Sequence, residues 1–400
     1  MKLCIVCFGF VRQKVRLQPW KYFYELAKEF SKRGNDTVII TDKTGDDDPA
    51  SFHPIRVRYC DRLCSRMAYP SKDVIDLIQQ ENPDITVINV GSTSPFWIAS
   101  PRIPKPTVMV LTSPLYSPED VFRVGLTEFV RHPSYLITPL LSSFIPGRFI
   151  TRYFDRSDCV VTLNEYNQKI LSRWGIHSNI VTIPPGIDST FLHQSHHEDI
   201  EVTNQQSSTG GKTVLLYYTS PLTLRGTDTL VYALERLPDP ERIQLRFLSR
   251  RDDESLKIEE ENLIQLIHEK GLQDSIEFIS ENLPPEKIRS YISCSDIVCL
   301  PLKIMISDFP VSFLEVMSQG KPIISTNVGC IPDILRGRGI VVSPNDPARL
   351  SEAIQLLVND MTLRKNLGMK ARELLESYPT WAGVADEYVK LFEGLVSDEN

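Results

Sequence analysis

A polar turn, an apolar helix start and one acid follow one another between Ser307 and Glu315. The stretch lies after the apolar strand sequence "IVCLPL", and Pro310 is tolerated in a first helical turn because the amides there have no helical partner. Such free amides and the helix dipole attract phosphate. Glu315 is then placed to accept hydrogen bonds from a ribose diol. The alternative is a capping box, in which Glu315 only bonds the amide of Ser312.

A second candidate for anion binding is Arg225, in the sequence "YYTSPLTLRGTDTL". A strand pattern gives way there to a turn, and Arg225-Gly226 stands just before a helix. An arginine at the carboxyl end of a strand can place its forked guanidinium on a diphosphate. A solvated arginine has the same local pattern. The assignment of Arg225 to anion binding is therefore strengthened only if it faces the same cleft as Glu315.

The elements that must position these residues alternate between strand and helix along the whole chain. "KLCIVCF", "DTVIIT", "ITVINV", "PTVMVLT", "RSDCVVTL" and "NIVTIPPG" predict strands of the first half, with helices between them. "TVLLYYT", "IQLRFLS", "SIEFIS", "IVCLPL", "PIIST" and "GIVVS" repeat the pattern after a polar stretch beyond residue 188. This alternation predicts an α/β protein of two doubly wound parallel domains, with ligands at the carboxyl ends of the strands.

Length and charge agree with two globular domains. The 400 residues exceed one ordinary core. The net charge of −7 gives no reason to expect a nucleic-acid partner. Up to Asp188 there are 23 basic and 19 acidic residues, a net charge of +4, whereas the remainder carries −11. A basic first half suits an anionic surface or substrate.

The eight scattered cysteines and the absence of a secretory pattern in "MKLCIVCFGF" favour a cytosolic protein with reduced thiols. No metal site is expected. Cys4 and Cys7 fall in one predicted strand, where residues three apart point to opposite faces. His193, His196 and His197 lie in a polar loop, for which solvation is the ordinary explanation.

One apolar segment, Tyr135 to Ile150, is too short and too interrupted by proline to span a bilayer. Five flanking arginines would suit docking on an anionic membrane face: Arg123, Arg131, Arg148, Arg152 and Arg156. The alternative is a helical excursion packed on the N-terminal domain. The sequence leaves both interpretations open.

Taken together, these features resemble the family 4 retaining glycosyltransferases, which have the GT-B fold. The resemblance covers nearly the full chain, strongly over 213–345 and weakly over 1–180. It rests on "IPPGID" as the turn between domains, "RGTDTLVYAL", "FPVSFLEVMSQGKPIISTNVGCIPDIL" around the second acid of Glu-x7-Glu, and "YPTWAGVADEYVKLFEGL" as the last helix. It implies an acceptor-side domain of residues 1–188 plus a C-terminal helix at about 381–400, and a nucleotide-sugar-binding domain of residues 189–380.

The resemblance also implies roles for individual residues. Glu315 would bind the ribose, the amides of Val311 and Ser312 would receive the diphosphate, and Arg225 would neutralise it. Gly9 would let the N-terminal loop approach the phosphates. The implied donor-binding set is Gly9, Ser220, Ser307, Asp308, Phe309, Val311, Ser312 and Glu315.

Three positions depart from the family pattern. The first acid of Glu-x7-Glu falls on Ser307, which leaves Asp308 as the neighbouring carboxylate. The usual arginine before the family's lysine is Ser220, and the usual histidine of the N-terminal domain is replaced around Thr112 and Ser113. Acceptor-side cations could instead come from the "FGFVRQKVRLQPW" loop, namely Arg12, Lys14 or Arg16.

We therefore expect a retaining hexosyltransferase that moves a hexose from a nucleotide-diphosphate sugar to a glycan or lipid-linked acceptor. The resemblance implies no metal or other cofactor, and a cytoplasmic protein with possible peripheral membrane contact. The departures keep open a non-catalytic sugar-nucleotide-binding subunit. Because fold alone does not set function, an epimerase or phosphorylase of the same fold also stays open.

Overall fold

The computed structural model describes residues 1–42, 49–64, 69–96, 103–104, 106–192, 210–249 and 254–397. The first half forms a parallel sheet of seven strands in the order β3-β2-β1-β4-β5-β6-β7. Its strands are β1 (Lys2–Val6), β2 (Asp36–Asp42), β3 (Arg56–Cys60), β4 (Ile85–Val90), β5 (Thr107–Leu111), β6 (Cys159–Thr162) and β7 (Asn179–Thr182). We call this sheet and its helices the N-terminal domain.

The second half forms a parallel sheet of six strands in the order β10-β9-β8-β11-β12-β13. Its strands are β8 (Thr213–Thr219), β9 (Ile243–Ser249), β10 (Ile276–Ser280), β11 (Ile297–Leu300), β12 (Ile323–Thr326) and β13 (Gly339–Val342). This is the C-terminal domain. The predicted α/β class with two doubly wound parallel domains is confirmed.

Helices cover the faces of both sheets. In the first half they are α1 (Trp20–Lys32), α2 (Lys72–Glu81), α3 (Pro118–Phe122), α4 (Leu126–Arg131), α5 (Pro133–Ser143), α6 (Gly147–Phe154), α7 (Glu165–Arg173) and α8 (Ser189–Leu192). In the second half they are α9 (Thr227–Glu235), α10 (Glu254–Glu269), α11 (Pro285–Ser293), α12 (Val311–Ser318), α13 (Ile331–Leu335), α14 (Pro347–Asn359), α15 (Met361–Glu376) and α16 (Trp381–Ser397).

Sequence patterns missed strand β3. It reads Arg-Val-Arg-Tyr-Cys and lies at the edge of its sheet, where both arginines are exposed. An edge strand with one solvated face carries no continuous apolar run, so its signal is weaker than that of the buried strands.

The last helix, α16, packs on α1 of the N-terminal domain. The Tyr22 hydroxyl lies 3.1 Å from that of Tyr388, and the rings of Phe30 and Phe392 are 5.6 Å apart. The chain therefore passes between the domains twice. At that crossing Gly186 leaves no room for a side chain, because a Cβ atom would lie 2.5 Å from the Trp381 amide nitrogen.

Helices α3 to α6 form an excursion between β5 and β6, which we call the 118–154 excursion. Val124 and Leu136 of the excursion share a small apolar cluster with Leu224 and Ile304 of the C-terminal domain. The excursion therefore packs on both domains, and the prediction that it packs on the N-terminal domain covers only part of its contacts. Among the described residues, no helix is long and apolar enough to cross a membrane.

Cys4 and Cys7 lie in separate apolar clusters, as expected for residues three apart in a strand. Burial raises the pKa of both thiols to about 12. Both therefore stay protonated at neutral pH and act as small apolar side chains.

Candidate functional site

Glu315 lies at the start of the second turn of α12, half-buried beside the C-terminal end of β8. Its Oε2 accepts a hydrogen bond from the Tyr218 hydroxyl at 3.2 Å. The same hydroxyl lies 2.5 Å from the carbonyl oxygen of Ser312, so its single hydrogen is shared between the two acceptors. Helix α12 begins at Val311 with Pro310 as its N-cap and no side-chain cap. The capping-box interpretation of Ser312 and Glu315 is therefore wrong, because Ser312 lies inside the helix.

Lys21 of α1 faces Glu315 from the N-terminal domain. Its Nζ lies 2.6 Å from Oδ2 of Asp188, whose Oδ1 accepts from the Trp381 indole at 2.8 Å. Burial lowers the pKa of Lys21, but the charges of Glu315 and then Asp188 outweigh it, so that the pKa stands above its ordinary value. The lysine is therefore a fixed cation at the junction of the two domains.

Sequence reasoning missed Lys21. Within "LQPWKYFY" it is one lysine on an amphipathic helix, a pattern that ordinarily indicates a solvated face. The cue that existed was Asp188 of the "IPPGID" turn, a charged residue next to a predicted domain crossing.

Arg225 ends a short 3-10 turn at the carboxyl end of β8, half-buried and just before α9. Gly226 follows in the left-handed region at φ +78°, and a Cβ there would lie 1.9 Å from the Pro301 carbonyl oxygen. Only glycine fits this contact, so the "RG" pair reflects how closely the loops after β8 and β11 approach. Burial raises the pKa values of Tyr116 and Tyr217, and the positive charge of Arg225 opposes this rise in part.

The turn before α12 is tightly closed on itself. The Val311 amide donates to the Phe309 carbonyl at 3.1 Å, and the Ser307 hydroxyl donates to the same carbonyl at 3.5 Å. The Phe313 amide bonds Pro310 at 2.9 Å. A phosphate could use the Val311 amide only after displacing the Phe309 carbonyl.

Asp308 faces the N-terminal domain. The Asn167 side-chain amide donates to its Oδ1, and its backbone carbonyl accepts from the Asn164 side chain at 3.0 Å. Its own amide donates to the Thr112 carbonyl at 3.4 Å. Burial raises the pKa of Asp308 to about 8, so the carboxyl group is protonated at neutral pH. Asp308 is therefore a buried contact between the two domains.

The loop after β1 is organised around Gly9 and Trp20. Gly9 has φ +62°, and its amide donates to Oδ1 of Asp42 at 2.7 Å. The Trp20 indole donates to the Phe8 carbonyl at 2.7 Å, and the Lys14 ammonium lies 4.9 Å from the Trp20 ring. Of the three cations expected from this loop, Lys14 is therefore held beside Gly9.

The other two cations lie elsewhere. The Arg12 guanidinium donates to the Tyr24 hydroxyl at 3.1 Å and stacks over the Tyr24 and Phe52 rings within 6 Å. Arg16 is exposed. In this arrangement Arg12 is engaged by aromatic residues of its own domain.

Of three further predicted positions, Thr112 and Ser220 are buried and Ser113 is half-buried, and each also contacts neighbours in its own domain. The Thr112 hydroxyl donates to Oδ1 of Asn89 at 2.7 Å, and the Ser113 carbonyl accepts from the Asn167 side chain at 3.3 Å. The Ser220 carbonyl accepts from Tyr217 at 2.9 Å. Thr112 and Ser113 thus lie beside the Asp308 contact.

A buried polar cluster joins the 118–154 excursion to the C-terminal domain. Lys303 Nζ lies 2.9 Å from Oε1 of Glu128 and 2.7 Å from Oδ2 of Asp228. Thr223 donates to Glu128 at 2.6 Å and lies 2.8 Å from Nε2 of His132. Burial raises the pKa of Glu128, but the charges of Lys303 and Arg131 and the hydrogen bonds from Thr223 and Lys303 together outweigh it, so the pKa lies below its ordinary value. The cluster ties the excursion to the loop that carries Arg225.

Among the residues that the structure describes, no three histidine, cysteine or acidic side chains group as metal ligands would. His193, His196 and His197 lie outside the described residues.

Two parallel α/β domains, with Glu315 and Arg225 at the carboxyl edge of the second sheet facing the first, define the GT-B class. Residues 20–191 match the family model "Glycosyltransferase Family 4", and residues 199–374 match the model "Glycosyl transferases group 1". The chain belongs to the family 4 glycosyltransferases of the GT-B fold.

Similar proteins of known structure share the fold at low identity. Sucrose-phosphate synthase from Thermosynechococcus elongatus superposes with a TM-score of 0.73 at 16% identity, covering 99% of each chain. Anabaena HepE in complex with UDP superposes with a TM-score of 0.71 at 16% identity, covering 99% of this chain and 100% of that one.

A curated relative by sequence is D-inositol 3-phosphate glycosyltransferase of Corynebacterium diphtheriae, 26% identical over 134 residues. The match covers 33% of this chain and 30% of that protein. The chain spans between 30% and 41% of the length of the first three curated relatives that it matches.

Proposed function

We propose that this protein is a retaining glycosyltransferase that moves a hexose from a nucleotide-diphosphate sugar to a glycan or lipid-linked acceptor. The observation that carries the proposal is the Glu315 carboxylate, half-buried between Tyr218 of its own domain and Lys21 of the other. A carboxylate at the start of the second turn of a helix, beside a domain junction, is suited to accept two hydroxyl hydrogen bonds from a ribose. HepE, a protein of the same fold, binds UDP and UDP-glucose.

The diphosphate would lie between the loop after β8 and the loop after β1. Arg225 supplies a guanidinium on one side, and Lys14 supplies an ammonium beside Gly9 on the other. By the family pattern that the sequence resembles, Arg225 stands at the place of a lysine, and Lys14 would compensate for the serine at position 220. We propose that they neutralise the leaving group without a metal ion.

In the proposed reaction the bond between the sugar's anomeric carbon and the diphosphate oxygen breaks as the acceptor hydroxyl oxygen bonds to the same face of that carbon. The leaving diphosphate takes the hydroxyl proton. The protein then needs no nucleophile of its own. Its part is to stabilise the developing phosphate charge and to align the two substrates. Loss of one such charge-stabilising donor typically costs about 3–4 kcal/mol of transition-state stabilisation.

The acceptor would enter from the N-terminal domain. Strand β5 is followed by two hydroxyl-bearing residues, buried Thr112 and half-buried Ser113, and this half of the chain carries the positive net charge. This favours an acceptor with anionic groups, such as a lipid-linked glycan diphosphate at the cytoplasmic face of a membrane.

The test is calorimetric titration with UDP, GDP, ADP and dTDP. Wild-type protein should bind one of them, and Arg225→Ala should weaken that binding at least tenfold because a charge-assisted phosphate contact is lost. Arg236→Ala is the matched control: this arginine is exposed at the end of α9, and it should leave binding unchanged.

The outcomes separate the alternatives. Nucleotide binding without turnover of the corresponding sugar donor on any acceptor supports a non-catalytic subunit, while release of free nucleotide without a glycosylated product supports an epimerase. Binding by none of the four nucleotides refutes the proposed donor site.

A further inference from the structure

The outer face of the 118–154 excursion is unusually apolar. Across the described residues, seven of the sixteen large apolar side chains that are exposed lie between positions 122 and 144. They are Phe122, Leu126, Val130, Tyr135, Ile137, Leu141 and Phe144. Scattered apolar side chains are normal on a protein surface, but a concentration of this kind marks an interaction site. We call these seven residues the outer apolar face.

In helix α4 the exposed apolar side chains are not the ones that anchor the helix to the protein. Leu126 and Val130 lie one turn apart on its outer side and are 81% and 85% exposed. Glu128 and His132 point the other way, into the polar cluster with Lys303. The helix is thus anchored through its polar side and presents its apolar side to solvent, the reverse of an ordinary surface helix.

The exposed charges around this face are mainly positive. Between Val121 and Gly147 the only carboxylate in the sequence is Glu128, which is buried against Lys303. The exposed charges of that stretch are Arg123 and Arg131. The nearest exposed acid is Glu119, which pairs with Arg123 at the start of α3.

Further arginines extend the positive border. Arg148 and Arg152 are exposed on α6, directly after the outer apolar face. An apolar surface bordered by four exposed arginines, and by one exposed acid that is paired with an arginine, is suited to the boundary between lipid headgroups and acyl chains. A surface that binds a protein partner ordinarily also presents hydrogen-bond donors and acceptors around its apolar centre.

We propose that the outer apolar face docks on an anionic lipid bilayer, with Leu126 and Val130 among the acyl chains and the arginines at the headgroups. The inner side of the same helix holds the loop that carries Arg225, through Glu128 and Thr223. Docking therefore orients the site relative to the membrane. The docking stands independently of the proposed transfer reaction, and it explains how a lipid-linked acceptor would reach the N-terminal domain.

The experiment is flotation of the full chain with vesicles of phosphatidylcholine alone or of phosphatidylcholine with phosphatidylglycerol, without any donor. Wild-type protein should float with the anionic vesicles and be released by high salt, because arginine attraction is screened. Leu126→Glu with Val130→Glu should reduce the bound fraction at least tenfold. The matched control is Ile258→Glu with Leu356→Glu, which changes two exposed apolar residues of the C-terminal domain, 62% and 49% exposed, and should bind as wild type does.

A second pair of substitutions tests the charge. Arg123→Gln with Arg131→Gln should remove most of the preference for anionic over neutral vesicles, about fivefold for each arginine. The proposal is overturned if wild-type protein floats with neither vesicle, or if the Leu126/Val130 variant floats as well as wild type. It is equally overturned if sedimentation shows a dimer that this variant dissociates, since the face would then join two copies. Nucleotide binding is measured separately for all variants, so that failure of membrane docking can be distinguished from failure of the proposed donor site.

Discussion

Replacing Asp308 by asparagine should make the protein less sensitive to alkaline pH. Asp308 is 3% exposed, and burial raises its pKa from 3.8 to about 8. The folded protein therefore prefers the neutral carboxyl group. Stability from this preference is complete below the unfolded pKa and declines as the pH rises toward the folded pKa. Asparagine is neutral at every pH, and its carbonyl oxygen can still accept from Asn167.

The expected size follows from the two pKa values. Between pH 6 and pH 8 an unfolded aspartate is ionised, while the buried one becomes half ionised only at the upper end. Linkage then predicts that wild-type protein loses about 2 kcal/mol of unfolding free energy relative to Asp308→Asn over this interval. Above pH 8 the difference should level off because both states are ionised.

Urea-induced unfolding followed by tryptophan fluorescence at pH 6 and pH 8 measures this difference. Asp76→Asn is the control, since this aspartate is exposed on α2 and should show the same pH dependence as wild type. A difference between Asp308→Asn and wild type that is equal at both pH values would show that Asp308 is not held neutral in the folded protein.

Three further substitutions test the site. Glu315→Gln keeps an acceptor for Tyr218 but loses the negative charge. Nucleotide binding measured by calorimetry should therefore weaken about tenfold, without a change in melting temperature. A lower melting temperature with normal binding would show that Glu315 has only a structural role. Lys21→Met should lower the unfolding free energy by about 1–3 kcal/mol and weaken nucleotide binding. Lys28→Met, on the same helix and paired with its own helix neighbour, should do neither. Equal effects of the two substitutions would contradict a special role for Lys21. Gly226→Ala should greatly weaken nucleotide binding, because its Cβ clashes with the neighbouring loop beside Arg225. Gly271→Ala, at φ +66° with open space around it, should cost only about 1 kcal/mol of stability. Similar losses of nucleotide binding and stability in both variants would contradict a role for the clash.

Much of the fold could be predicted because its signals are local. Each buried parallel strand is a short apolar run, and each helix between strands has its own apolar periodicity. Edge strand β3 escaped because its arginines face solvent. The excursion helices α3 and α4 also went unpredicted, because exposed Leu126 and Val130 give α4 an apolar side that does not mark its buried face.

Sequence alone determined the positions of Glu315 and Arg225. Both positions depend on local features, namely a helix that begins after a strand and a glycine with positive φ. The tertiary structure decided what other residues do. Asp308 meets Asn167 across 141 positions, and Lys21 meets Asp188 across 167. A contact between residues so far apart leaves no periodic trace in either local sequence, so only the packing of two domains makes one aspartate a neutral contact and one lysine a cation of the site.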